Sequence, residues 1–573
     1  MKIRSLSTLV AAVAIAVAAV PFGAVAQTAP SRAVIPTAEP SPILPAYPTV
    51  APGYGAPEAR PASAEIVGVT QQPFVGIALD DAVAMALMKN PDLAVSAANT
   101  RIAGYQIVEA KGAFNVRFNL QPSVTHSSTA PENAFFAGPN FGPIVQNQQQ
   151  IAGGVSGQLQ PGTQYSLSVS QSRIDNNGVI NAFNPYFPTS FNIALTQPLL
   201  RGLGMSQAKQ QLELAVLGSQ ASSQQTLANA SSTIEQTEDA YWDLVAAWRN
   251  VAIQEDALQQ AIAQQHSNVR LAQRGAAAPI DAVESSEQVA TFQDDVISAL
   301  QNVATLQNEL KMLVVDDPAD PIWRANLMPT SPVLQLPPMP TYEELVSTAL
   351  AHRPEVLEVQ AQRREADVQL AYAKGQALPQ ADLNVQWQSN GLAGNPLPPI
   401  GGVFGTQTPP PDLHGGLGQS YANTWGNKFP TYVVGVTLSQ PIGNETARGE
   451  IAAAREQQRI GDIQTAGVKQ RIEFESRNAL QAYQSSLSRL YAARHARETS
   501  EEVLASEIRK FHNGVSTTFL VLQRQVELAQ ARGRELQAQT DLNKAVVELQ
   551  RASGAILAAN NVNLTTLGAE APK

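Results

Sequence analysis

The pattern of apolar and polar positions changes period several times along the chain. From Leu79 (LDDAVAMALMKNPDLAVSAANTRIAGYQIVEAKG) the spacing is helical. It breaks at Asn90-Pro91, where Asn suits an N-cap and Pro the first position of a second helix. From Phe114 the period becomes two: Phe114, Val116, Phe118 and Leu120 alternate with Asn115, Arg117, Asn119 and Gln121. That predicts a strand with one apolar and one polar face. Further strands are expected at Ile151–Gln160, Gln164–Gln171 and Phe191–Gln197, with a turn at Pro161-Gly162 between the first two. A breaker-poor helix is expected from about residue 205 to 273. At 1.5 Å per residue it would be about 100 Å long. A turn at Arg274–Pro279 leads to a return helix ending near Val314.

After a Pro-rich connector (316–340) the same program runs again. A helix starts at Tyr342 and breaks at Arg353-Pro354. Leu383, Val385 and Trp387 then alternate with Asn384, Gln386 and Gln388. A Gly/Pro-rich stretch from Asn390 to Asn427 reads as an extracellular loop. Tyr432, Val434, Val436 and Leu438 mark the apolar face of a strand, and a helix from about 447 to 511, a turn at Gly514 and a return helix to about 557 complete the unit. Pro91 and Pro354 lie 263 positions apart. At that offset Ala86-Leu87 meets Ala349-Leu350, Ala110-Lys111-Gly112 meets Ala373-Lys374-Gly375, and Leu120 meets Leu383. Gln197-Pro198 and Gln440-Pro441 each precede a long helix, and Gly275 and Gly514 each sit at a helical turn. Two internal repeats account for this order.

Composition narrows the class. Of 573 residues 44% are hydrophobic and only 15% charged, and the long helices are built mainly of Ala and Gln, which favours close helix packing. A net charge of −10 without a basic cluster gives no footprint for nucleic acid. Lys2 and Arg4, the apolar run Leu9–Val20 and the small residues Ala24-Val25-Ala26 read as a signal peptide over 1–26. Residues 27–75, rich in Pro and Ala, read as a disordered lead-in. The domain plan is then repeat 1 at 76–315, the connector at 316–340, repeat 2 at 341–558 and a tail at 559–573. There is no cysteine, hence no disulfide and no thiol for an N-terminal lipid anchor. No later run approaches the ~18 apolar residues of a spanning helix.

Strand hairpins about ten residues tall match an outer membrane. Open sheet edges are not tolerated in lipid, so several chains must share one closed barrel. The long helices would then leave it on one side as a tube. The six histidines (126, 266, 352, 414, 495, 512) show no paired metal spacing, and Gly202-Leu203-Gly204 is no nucleotide loop, so no cofactor, metal or enzymatic activity is implied.

This duplicated pattern resembles the TolC family of outer membrane efflux proteins from about residue 75 to 560. The resemblance is carried by LTQPLLRG (195–202), LSQPIG (438–443) and the turns RLAQRGAAAPIDAVESSE (270–287) and RKFHNGVSTTFLVLQRQ (509–525). It implies an α+β membrane protein: a homotrimer sharing a β-barrel in the outer membrane, continued by a long periplasmic α-helical barrel. It also implies a passive gated duct of a tripartite efflux pump or type I secretion system. Its partners would be outer membrane lipid, a periplasmic adaptor and an inner membrane transporter of RND, ABC or MFS type. Two departures stand out. Many relatives carry a lipidated cysteine that this chain lacks. The first half also holds four strands where the family pattern has two, so Ile151–Gln171 is either an extra barrel hairpin or an extracellular decoration.

The resemblance puts Gly275, Pro279 and Gly514 at the periplasmic tip as adaptor-docking turns. Family acidic gate positions fall here on Leu520 and Gln523. The first turn instead offers Asp281 and Glu284 on one helical face, either as acidic rings or as first-turn acids favoured by the helix dipole. Arg270, Arg274, Arg509 and Lys510 precede the turns. They suit either pairing with those acids or simple placement at helix C-termini. Trp387, Trp425, Phe429 and Tyr432 read as an aromatic belt. The competing class is a non-conducting periplasmic coiled-coil scaffold or surface adhesin, which would need no clean-faced strands.

Overall fold

The computed structural model describes residues 74–130, 142–178, 181–331, 336–398 and 408–570. The signal peptide and nearly all of the lead-in lie outside these residues. The first described element is a strand, β1 (Phe74–Ile77), at the boundary drawn for the lead-in.

Helices α1 (Leu79–Lys89) and α2 (Pro91–Lys111) meet at Asn90. The N–H groups of Asp92 and Leu93 donate to its side-chain oxygen at 3.0 and 3.1 Å, the predicted cap. Four long strands follow: β2 (Arg117–Thr129), β3 (Ile144–Gln158), β4 (Gln164–Asn176) and β5 (Phe183–Pro198). Phe114 closes a short 3-10 turn and does not join β2. Pro161-Gly162 forms the predicted turn, with Gly162 at φ +97° and its N–H donating to Leu159 O. Helices α3 (Gln207–Gln273) and α4 (Pro279–Val314) make the first long hairpin.

The connector is more ordered than its Pro content predicts. It holds a 3-10 turn (Pro321–Arg324) and β6 (Asn326–Pro329), which pairs in parallel with β1. This small sheet packs on α1, α3 and α4 around Ile77, Ala82, Tyr241, Trp242, Val303, Leu310 and Leu327. The Tyr241 hydroxyl donates to Ile77 O and accepts from Ser331 N–H.

Repeat 2 supplies α5 (Tyr342–His352), α6 (Pro354–Gln376) and β7 (Gln380–Pro396). Part of the expected extracellular loop is instead strand and helix: β7 runs on to Pro396, and α7 spans Leu417–Trp425. Then come β8 (Phe429–Ser439), α8 (Glu445–His512), α9 (Thr518–Ser553) and α10 (Ile556–Ala559). Gly554 at φ +78° caps α9, so the return helix ends before 557.

The long strands form one antiparallel sheet in the order β2-β3-β4-β5-β7-β8. The hairpin β3–β4 therefore stands inside the wall between β2 and β5. Its registers run without a break from Gln158↔Gln164 to Gln146↔Asn176.

Candidate functional site

The sheet separates two chemistries by strand parity. One line of register partners crosses all six strands as Phe118–Val155–Leu167–Ile193–Trp387–Tyr432. The next line reads Asn119–Gly154–Ser168–Asn192–Gln388–Thr431. Side chains alternate faces along a strand, so over the half of the sheet nearest the helices one face is apolar and the other is lined by amides and hydroxyls. Toward the outer ends the first face also turns polar, with His126, Asn147, Gln149, Gln171 and the Arg173–Asp175 pair. This is the division needed between lipid and a water-filled lumen. On the polar face of these strands the charged residues are Arg117 and Asp382, both at the ends nearest the helices.

Trp387 and Tyr432 lie on the apolar face as expected of a belt. Phe191 bridges Trp387 and Trp425 at 5.7 and 5.2 Å between ring centroids. Phe429 pairs with Asn390 on the polar face, so by parity it leaves the belt. Helix α7 lies on the apolar face at the outer ends of β5 and β7. The Thr189 and Ser420 hydroxyls meet at 2.8 Å, and Tyr421 donates to Gln171. A side chain at Gly391 would place its Cβ 2.1 Å from Ser420 O, which is why the helix can lie so close.

Both ends of the sheet are open. β2 and β8 are edge strands, each carrying large exposed apolar residues: Phe118, Leu120 and Val124 on one, Tyr432, Val434 and Leu438 on the other. Beneath the sheet the helices follow the same order. α2 packs on α3, α3 on α6, and α6 on α8, leaving α2 and α8 outermost. The Ser96, Thr100 and Thr226 hydroxyls join α2 to α3. The exposed side of α2 carries Val95, Ile102 and Tyr105; that of α8 carries Ile460, Ile463 and Phe474. Sheet and helical layer thus end in matching unsatisfied edges.

The two hairpin turns are built alike. In the first, Gly275 stands at φ +69°, and Ala276 N–H donates to Leu271 O. In the second, Gly514 stands at φ +73°, and Val515 N–H donates to Lys510 O. These are αL helix caps, positions that favour glycine. Beside them Ile280, Val283, Val515 and Phe519 stand exposed, Phe519 at 62% and Val515 at 74%. Single apolar side chains on a surface are ordinary, whereas a cluster at one end of a molecule marks a contact. Thr517 caps α9 by accepting from Leu520 N–H, while Pro279 opens α4.

Of the sequence-derived tip acids, Asp281 accepts the Ala278 N–H at 3.1 Å, acting as a helix-start acid. Glu284 is half-buried one turn on. Gln523 is exposed and donates to Glu527, and Leu520 is half-buried. Arg270, Arg274, Arg509 and Lys510 are exposed, and Lys510 pairs with Glu507 at 3.1 Å. Among the described residues no ion pair joins these four to Asp281 or Glu284.

The charges that link the hairpins lie higher. Arg532 on α9 reaches Asp256 on α3 and Glu501 on α8. Arg497 on α8 holds Glu501 and Glu535, and Arg494 holds Glu535 at 3.2 Å. Further up, Lys544 pairs with Asp243 at 2.6 Å and Arg551 with Glu235 at 3.1 Å. Beside these pairs burial pushes the Glu238 carboxyl up to about 7 and that of Asp239 to about 6. Sequence reading missed this network. Its only trace was charged residues scattered through Ala/Gln helices, and helical contacts across 276 residues, as for Arg532 and Asp256, leave no local pattern.

Among the described residues no group of three or more His, Asp or Glu is placed to hold a metal, and no helix is long and apolar enough to cross a membrane.

The family model for outer membrane efflux proteins matches residues 345–555. The fold is similar to solved outer membrane channels. The CmeC outer membrane channel of Campylobacter jejuni is 14% identical, with a TM-score of 0.59 over 83% of this chain and 85% of that one. The outer-membrane channel OprN is 16% identical, with a TM-score of 0.59 over 88% and 99%. The outer membrane protein VceC of Vibrio cholerae is 15% identical, with a TM-score of 0.58 over 83% and 96%. Among curated proteins none matches the sequence.

Proposed function

We infer, from the premise that this chain belongs to the outer membrane efflux protein family, that three copies of it close into one passive export duct. The chain lies in the outer membrane with a large periplasmic helical portion. The observation that carries the proposal is the pair of matching edges. β2 and β8 bound the sheet, and α2 and α8 bound the helices below them. An open sheet edge cannot face lipid, because each unpaired N–H or C=O there costs several kcal/mol. One joining operation, β8 to the next copy's β2 and α8 to its α2, satisfies both layers together. A cyclic ring of such head-to-tail contacts closes without a free end.

In this reading the duct serves a tripartite efflux pump or a type I secretion system. An inner membrane transporter of RND, ABC or MFS type supplies energy, and a periplasmic adaptor joins it to the duct. The adaptor meets the turns at Gly275, Pro279 and Gly514, where Ile280, Val283, Val515 and Phe519 offer an apolar seat. Arg532, bridging Asp256 and Glu501, straps the second hairpin to the first and keeps the tip closed. Asp281, Glu284, Leu520 and Gln523, each within the first turns after Gly275 or Gly514, are the residues proposed to line the entrance at that end.

Single-channel recording from the purified full-length protein in a planar bilayer tests the function. Small, long-lived, cation-selective steps are expected. Folded protein that will not insert would contradict the duct and favour a periplasmic scaffold.

A further inference from the structure

We propose that the extra hairpin β3–β4 makes this an eighteen-strand barrel, with a lumen about half as wide again as that of the twelve-strand wall its family pattern implies. The inference rests on the three-copy reading above. Each copy contributes six strands to one sheet, so three copies contribute eighteen.

The hairpin belongs to the wall by three independent signs. It occupies the middle of the strand order, so β2 reaches β5 only through it. Its register is continuous on both sides, thirteen pairs with β2 from Arg117↔Ser156 to Thr129↔Ile144, and a ladder with β5 from Gln164↔Thr196 to Ile174↔Tyr186. Over the half nearest the helices its side chains obey the parity of the sheet: Ile151, Val155, Tyr165, Leu167 and Val169 fall on the apolar face, which becomes polar only at the outer end with Asn147, Gln149, Gln171 and the Arg173–Asp175 pair. An extracellular decoration would need no apolar face in phase with the membrane-facing one.

Barrel diameter grows roughly linearly with strand number, and walls of 16–18 strands leave an aqueous channel. The lumenal side of the hairpin is neutral and hydrogen-bonding. Gln148 donates to Gln150 at 3.1 Å along β3, and the Ser170 and Ser190 hydroxyls meet at 2.8 Å between β4 and β5. The added third of the circumference therefore brings width without charge. Selection by size or charge is left to the helical tip, and the outer membrane section passes whatever the tip admits.

The deletion that reverses the addition is defined by the topology. β2 and β5 are antiparallel, and Phe118 and Ile193 lie on one register line. Removing 144–176 lets them pair directly with both faces still in phase.

Single-particle imaging of the full-length protein in lipid nanodiscs is the test. Eighteen strands around one closed wall are expected. A closed twelve-strand wall with β3–β4 projecting from it would overturn the inference while leaving the duct intact. Absence of any closed wall would overturn the duct itself. The full chain offers a second measurement that does not depend on the folding of the 144–176 deletion. The protein has no native cysteine, so Leu167→Cys and Ser168→Cys can be labelled singly. Leu167→Cys should react only with a lipid-dissolved reagent and Ser168→Cys only with a water-soluble one. Equal reaction of both with the aqueous reagent would place the hairpin outside the wall. If the deletion variant folds, its lumen should be narrower by about a third; an unchanged lumen would contradict the proposal.

Discussion

The first long hairpin, α3–α4, is closed along its length by fully buried apolar side chains. Ile234, Trp242, Leu244, Val303 and Leu310 pack near the membrane end, and Ala257, Ala261, Val289 and Phe292 toward the tip. The second, α8–α9, has a comparable upper cluster around Tyr483, Leu490 and Leu542. Below it Arg494 and Arg497 grip Glu535, and Arg532 spans to Glu501 and Asp256. The two hairpins share length, turn geometry and buried apolar packing, which in the lower half of the second comes from Leu504, Val521, Leu522 and Leu528. What sets the second apart is the added network of ion pairs. A fully buried large apolar side chain stabilises by about 1.5–3 kcal/mol, a half-exposed ion pair by about 0–1 kcal/mol. The ion pairs are therefore the part of the contact between the hairpins that yields at least cost. If the proposed duct opens at this end, the ion pairs of α8–α9 are where the opening is expected to begin.

Changes that break this contrast should rank accordingly. Trp242→Ala removes a fully buried ring from the fixed hairpin and should cost about 3–5 kcal/mol in chemical unfolding. Loss of less than about 1 kcal/mol would show that the first hairpin is not anchored there. Arg532→Ser cuts the strap between hairpins. It should raise time-averaged conductance by up to about fivefold, the change that a bias of about 1 kcal/mol produces, while shifting stability by no more than the same amount. Asp256→Asn should act in the same direction, and raising ionic strength should mimic both in the native protein. Conductance indifferent to all three would put the gate elsewhere.

A pH-dependent effect follows from the buried Glu238 carboxyl on α3, which accepts from Asn560. Burial raises Glu238 from 4.5 to about 7. The folded state therefore binds more protons than the unfolded chain between those values. The stabilisation is complete below about pH 4.5 and lost as pH rises through 7, an effect on the order of 3 kcal/mol. Melting temperature should fall over this window, and Glu238→Gln should flatten the fall. A variant with the native slope would assign the pH dependence to other groups. The smallest change is expected from Asp281→Ala with Glu284→Ala. Asp281 already serves the Ala278 N–H, so conductance should rise and cation preference weaken by less than Arg532→Ser achieves.

What was legible in the sequence followed local chemistry. Asn90-Pro91 fixed a cap, Gly275 and Gly514 fixed turns, and alternation at Leu383–Trp387 marked a strand. β3 starts at Ile144 and not at Ile151, because the unbroken amide run Gln146–Gln150 separates Ile144-Val145 from the alternating part and hides the period. β1 and β6 were missed since each four-residue strand exists only through its distant partner. α7 hid in a Gly/Pro-rich stretch, held in place by contacts to Thr189, Ser389 and Gln171. The tip followed the same rule. Its turns were evident in the sequence, whereas the Arg532 strap depends on side chains brought together by the fold.

The open edges at β2/β8 and α2/α8 are the centre of the account, and the native mass of the folded particle extracted from membranes tests them most directly. Three copies of the mature chain per particle, stable on dilution, is the predicted result. A folded monomer that persists in a lipid nanodisc, with both edges exposed, would contradict it.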